Sequence, residues 1–135
     1  MEKIHHLGIV CNDIEDAYKA FNIQPDDIKE YYLDKEQKNE LYFFHLKEND
    51  LWMEFVVPID ENSTVWNYAK NNNFGIHHIG FNSNNLEKEK LLSNNLKGVF
   101  ELKSYFLKIA SFGGRINTLF FYFRGLLIEY VKKLD

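Results

Sequence analysis

The chain repeats itself. Residues 4–13, Ile-His-His-Leu-Gly-Ile-Val-Cys-Asn-Asp, return as residues 76–85, Ile-His-His-Ile-Gly-Phe-Asn-Ser-Asn-Asn, at an offset of 72. A second pair follows in the same order. Leu51-Trp52-Met53-Glu54-Phe55-Val56 is answered by Leu126-Leu127-Ile128-Glu129-Tyr130-Val131, here 75 residues apart. One short His-His-x-Gly match is a weak signal, but two matches in the same order point to a duplicated unit with one loop lengthened.

Each unit reads as strand, helix and three strands. In the first, residues 3–10 form a strand and Asp13 caps a helix reaching about Phe21. Residues 28–34, 40–47 and 51–57 are rich in aromatic and branched side chains and are separated by polar breaks, as in a strand meander. The second unit runs as a strand at 76–82, a helix at 85–94 and strands near 99–104, 116–123 and 126–132. Between the units, Asn62 or Ser63 caps a short helix with Val65, Trp66 and Ala69 on one side. The expected organisation is a single α+β domain: a first βαβββ module over 1–59, a linker helix over 60–74 and a second βαβββ module over 75–135. Gly113-Gly114 marks a loop in which the backbone is mobile or passes close to a neighbour.

The bulk properties exclude several classes. A net charge of -4 with scattered lysines offers no basic stripe for nucleic acid or for an anionic membrane surface. The lone Cys11 cannot form an intrachain disulfide and reads as a small buried residue. The N-terminus lacks the apolar run of a signal peptide. The most apolar stretch, Thr118 to Val131, is interrupted by Arg124, Gly125 and Glu129 and is too short to span a bilayer. A soluble, cytoplasmic protein is expected.

The repeat also places the chemistry. Strand side chains alternate, so His5 and His6 are expected on opposite faces, as are His77 and His78. One member of each pair shares a face with Gly8 or Gly80, where a missing side chain leaves room for a ligand. Glu54 and Glu129 each sit in an otherwise apolar strand, where a buried carboxylate is costly unless it is paired or binds a metal. A lone strand histidine is usually a hydrogen-bonded core or surface residue, and a lone mid-strand glutamate usually faces water. Four such residues at equivalent places in a repeat point instead to one divalent cation. Imidazoles and carboxylates suit Zn, Ni, Co, Mn or Fe(II) without choosing among them. His45, by strand parity, can line the same pocket. No phosphate-binding glycine loop or nucleophile motif is present in the sequence.

The segments Ile4-His5-His6-Leu7-Gly8-Ile9, Met53-Glu54-Phe55-Val56-Val57-Pro58, Glu61-Asn62-Ser63, Gly75-Ile76-His77-His78-Ile79-Gly80-Phe81 and Leu127-Ile128-Glu129 resemble the vicinal oxygen chelate superfamily. That group includes glyoxalase I, methylmalonyl-CoA epimerase, the fosfomycin and bleomycin resistance proteins and the extradiol dioxygenases. The likeness is greatest to methylmalonyl-CoA epimerase and small glyoxalase-like proteins. It covers nearly the whole chain and implies two βαβββ modules whose curved mixed sheets form a cleft.

By this resemblance the metal ligands fall on the second histidine of each pair, His6 and His78, and on Glu54 and Glu129. Retention of both glutamates resembles the branch that moves protons, with the metal as Lewis acid and Glu129 as the catalytic carboxylate. It implies a metal-dependent isomerase or epimerase acting α to a carbonyl, with an acyl-CoA thioester as the substrate class, and Arg115 as a retained substrate-binding residue. The alternatives are a glyoxalase I (lactoylglutathione lyase) type of enzyme and a non-catalytic protein that binds an antibiotic or other small molecule. A homodimer is expected as in many relatives. Two departures from the epimerases stand out: Leu41 occupies the third-strand position where some of them carry a glutamate, and Ala110-Ser111-Phe112-Gly113-Gly114 replaces their Gly-Ala-His-Gly stretch.

Overall fold

The computed structural model describes residues 3–123 and 125–134; Met1, Glu2, Asp135 and the Arg124 that interrupts the apolar stretch lie outside the described residues. The elements follow the order expected from the repeat. They are β1 (Ile4–Val10), α1 (Ile14–Phe21), β2 (Ile28–Asp34), β3 (Asn39–Leu46), β4 (Leu51–Pro58), α2 (Trp66–Asn71), β5 (Gly75–Asn82), α3 (Leu86–Asn94), β6 (Val99–Ile109), β7 (Gly114–Phe123) and β8 (Leu126–Lys133). The fold is α+β and has the βαβββ order twice. None of the helices among the described residues is long and apolar enough to cross a membrane.

Contacts divide the chain into two compact units: Leu7–His77, and the N-terminal residues through His6 together with those from His78 onward. In the Leu7–His77 unit the strands run β2-β3-β4-β1. Asp13 starts α1 as expected, its side chain accepting the Glu15 N–H at 2.9 Å, and Asn22 ends it in the left-handed region at φ 53°. The helix lays Ala17 on one face of the sheet, over Ile9, Cys11, Ile23, Met53, Phe55 and Val57. Burial here pushes the Cys11 thiol up to about 12, so it remains a protonated packing residue.

The other face of this unit follows from register. Phe43 lies opposite Glu54, Leu41 opposite Val56, and Asp34 opposite Asn39. Phe43, Leu41, Glu54 and Asp34 are all buried. Asp34 is held by the backbone and side-chain N–H groups of Gln37 and closes the β2–β3 turn. The α2 cap differs from expectation. Ser63 accepts the Val65 N–H through Oγ and donates to Asn39 Oδ1, fixing the approach to the helix, which begins at Trp66 without a side-chain cap.

In the second unit β5 pairs in parallel with β8, and β8, β7 and β6 are antiparallel neighbours, so the strand set is mixed. Asn85 caps α3 by accepting the Lys88 N–H at 3.1 Å. One face of the strands carries Leu119 and Phe121, which pack with Leu86, Val99 and Tyr130. β6 runs to Ile109, five residues beyond its expected end, because pairing with β7 continues past a bulge between Glu101 and Ser104. Gly113 and Gly114 hold φ of 98° and 105°, and a Cβ on Gly113 would lie 2.8 Å from Lys133 Cε. Both the turn and the close approach explain the glycine.

Candidate metal centre

The face of the second unit turned away from α3 holds the site. Alternation along β8 puts Glu129 on that face and Tyr130 on the packed one. Register then sets Glu129 beside Gly80 on β5 and Phe120 on β7. His78, two residues before Gly80, shares the face, and its ring meets Phe120 at 5.7 Å. His6 reaches the same point from β1. Its imidazole occupies the space above Gly80, where a Cβ would overlap the ring and come within 2.6 Å of Nε2. The glycine therefore makes room for a neighbouring histidine rather than for a ligand.

The three side chains converge. His6 Nε2 lies 2.7 Å from Glu129 Oε1, His78 Nε2 lies 3.4 Å from the same oxygen, and the two Nε2 atoms are 3.0 Å apart. All three residues are buried: His6 at 0%, His78 at 3% and Glu129 at 5% exposure. Burial alone pushes the Glu129 carboxyl up, but the adjacent imidazoles, His6 first, outweigh it and hold the carboxyl well below its ordinary range. Two imidazole nitrogens facing each other and one carboxylate need positive charge among them, either as a proton or as a cation. Donors at about 2.0–2.2 Å around a tetrahedral ion lie roughly 3.3–3.6 Å apart. The His78–Glu129 spacing of 3.4 Å matches such a shell. The 3.0 Å and 2.7 Å spacings are shorter, so the donors would move apart by up to about half an ångström to admit the ion. The donor set fits a borderline divalent cation.

Two further residues support the cluster. His5 does not turn wholly away from His6, as strict alternation predicts; the two Nδ1 atoms lie 3.0 Å apart. A proton carried between them by His6 leaves the His6 Nε2 lone pair open to a cation, the usual way an outer partner orients a ligating imidazole. Phe112 was not foreseen. It stacks on His6 with centroids at 5.1 Å and 29° between planes, and meets His5 edge-on at 4.3 Å. Its only sequence signal was its place in the altered loop before Gly113-Gly114.

The remaining candidate residues are placed by their own strands. Glu54 belongs to the Leu7–His77 unit, in mid-β4 opposite Phe43 and only 6% exposed. His45 is the next-to-last residue of β3 in that unit, stacked on Trp52 at 4.5 Å and 3.4 Å from Asp50 Oδ1. Arg115 stands opposite Lys108 near the start of β7, and alternation gives it the face of Asn117 and Leu119 rather than that of Phe120. Leu41 is buried, whereas Glu40 accepts from the Tyr31 hydroxyl at 2.7 Å and from that of Tyr42 at 3.3 Å.

Gly80→Ala is expected to displace the His6 ring and lower metal affinity by roughly 10–100-fold, as expected for disturbing the support of a ligand. Calorimetric titration of the divalent ion checks this, with wild-type affinity as the contrary result.

Residues 5–100 match the sequence profile of a family described as the glyoxalase/bleomycin resistance protein/dioxygenase superfamily. No curated protein matches the chain. Among solved structures, a methylmalonyl-CoA epimerase variant from Streptomyces coelicolor, in complex with 2-nitronate-propionyl-CoA, is similar with 20% identity and a TM-score of 0.77. That match covers 100% of this chain and 99% of that one. A hypothetical protein from Bacillus halodurans is similar with 20% identity and a TM-score of 0.76, over 99% and 96% of the two chains. The methylmalonyl-CoA epimerase of Mycobacterium tuberculosis has 17% identity and a TM-score of 0.76, over 98% and 88%. At these identities the likeness to the solved structures is one of fold.

Proposed function

We propose, for a chain that belongs to the glyoxalase/bleomycin resistance protein/dioxygenase superfamily, a divalent-metal-dependent isomerase that moves a proton α to a carbonyl, with acyl-CoA thioesters such as methylmalonyl-CoA as the substrate class. The observation that carries the reading is the buried convergence of His6 Nε2, His78 Nε2 and Glu129 Oε1. His6, His78 and Glu129 would hold the ion, and Glu54 is assigned as the fourth ligand because it is the repeat equivalent of Glu129. Bound there, a Zn, Ni, Co, Mn or Fe(II) ion supplies Lewis acidity toward a carbonyl oxygen, which raises the acidity of the neighbouring C–H.

The protein's own groups do the remainder. His5 orients His6. Phe112 and Phe120 keep water away from the cluster, which strengthens every charge interaction within it. Glu129 is the carboxylate that takes the α-proton and returns it. The carboxyl is ionised at neutral pH and so can accept the proton. Arg115, near the start of β7 on the face away from Phe120, remains a candidate substrate contact on the family likeness alone, and His45 on strand parity alone. A homodimer is part of the proposed assembly.

One observation favours a second reading. Inversion at the α-carbon is easiest with a second acid/base on the opposite side, and Leu41 offers none at the third-strand position, while Glu40 is engaged by two tyrosine hydroxyls. A single-base reaction of the glyoxalase I type fits that arrangement. Incubation of one methylmalonyl-CoA epimer with metal-loaded protein in deuterated water separates the two by NMR. Deuterium incorporation with inversion is expected for an epimerase, and incorporation without inversion for single-base chemistry. Absence of metal-dependent incorporation would overturn methylmalonyl-CoA as substrate.

A further inference from the structure

Among the described residues, Thr118 Oγ1 is a buried side-chain atom with no hydrogen-bond partner. The residue is 1% exposed. A buried hydroxyl without a partner costs free energy that a valine of the same shape avoids. Such an orphan marks a place where something else completes the bond.

Its position says what that is. Alternation along β7 puts Thr118 with Ile116 and Phe120, on the face of His78 and Glu129, and not with Leu119 and Phe121, which pack under α3. Register sets Thr118 between Val131 on β8 and Tyr105 on β6, and sets Phe120 opposite Glu129. Thr118 is thus one diagonal step across the strand pair from the Glu129 carboxylate, a spacing of roughly 7–8 Å. A ligand whose α-carbon met Glu129 and whose carbonyl or carboxylate oxygen extended that distance along the sheet would reach the Thr118 hydroxyl. The backbone at this position is already satisfied, since the Thr118 carbonyl accepts the Ser104 hydroxyl at 2.6 Å. Only the side chain is left over. Val131 opposite it is apolar and offers no partner.

We propose that Thr118 is a substrate-binding residue whose hydroxyl donates a hydrogen bond to a carbonyl or carboxylate oxygen of the ligand beside Glu129; the choice of ligand rests on the proposed function. Nothing in the residue pattern foretold this, because a threonine in a strand reads as an ordinary β-branched filler.

The test compares wild-type protein, Thr118→Val and Thr118→Ser, all metal-loaded, by calorimetric titration with methylmalonyl-CoA and with malonate. Ligand-free thermal melts of each accompany the titrations. Thr118→Val is expected to melt no lower than wild type, since it removes the orphan, and to bind methylmalonyl-CoA or malonate about tenfold more weakly. Thr118→Ser retains the hydroxyl and is expected to bind nearly as wild type. Equal affinity of wild type and Thr118→Val for both ligands, or no binding of either by wild type, overturns the proposal. Thr118-dependent binding of malonate by a protein that promotes no α-proton exchange supports the proposal and removes the acyl-CoA reading instead.

Discussion

Replacing Glu129 by glutamine is expected to lower metal-dependent α-proton exchange by about 10²–10⁴-fold while leaving the fold in place. Glutamine keeps the shape and one carbonyl oxygen toward His6 and His78, so packing in this buried site changes little. It cannot accept the substrate proton. The measurement is the rate of deuterium incorporation at saturating substrate, with circular dichroism as the check on folding. Exchange at the wild-type rate would remove Glu129 from its role as base.

The same substitution has a pH signature in the metal-free protein. The Glu129 carboxyl titrates below its ordinary value of 4.5 in the folded chain. A carboxyl depressed on folding contributes stability that is complete above the unfolded value and is lost as pH falls toward the folded one. Wild-type stability should therefore decline as pH drops below 4.5, and Glu129→Gln should lose that part of the decline. Urea melts over roughly pH 3 to 6 read the difference.

The repeat made much of this site legible in advance. Because the period of a strand is two and the unit is duplicated, His6, His78 and Glu129 could be named from their spacing and the family likeness, and the order of elements followed. What escaped had physical reasons. Strict alternation separates His5 from His6, but neighbouring rings can bend toward each other at a strand, and their Nδ1 atoms meet. The glycine after the second histidine suggested room for a ligand, yet the space belongs to a side chain from β1, a fact only tertiary packing decides. Phe112 roofs two histidines from a short 3-10 turn with no periodicity to announce it. The Thr118 hydroxyl is unpaired because of what surrounds it, and surroundings are not written locally in a strand.

Removing His78 is expected to abolish stoichiometric metal binding. His78→Ala deletes one of the three converging donors, and loss of a direct ligand should exceed the roughly 10–100-fold typical of an outer partner. Elemental analysis of the purified variant gives the content, and thermal melts give an independent readout. Ion at about a hundredfold excess over its dissociation constant should stabilise wild type by roughly 2.7 kcal/mol, and this increment should vanish in the variant. Glu54→Ala, made separately, carries a different weight. Its assignment rests on the repeat equivalence with Glu129 and on the burial of its carboxylate in mid-strand, where a charge needs a partner or an ion. If Glu54 is a ligand, metal content falls in this variant too. If metal content falls in His78→Ala but not in Glu54→Ala, the ion belongs to His6, His78 and Glu129 alone. The centre then has three protein ligands, and Glu54 leaves the proposed site.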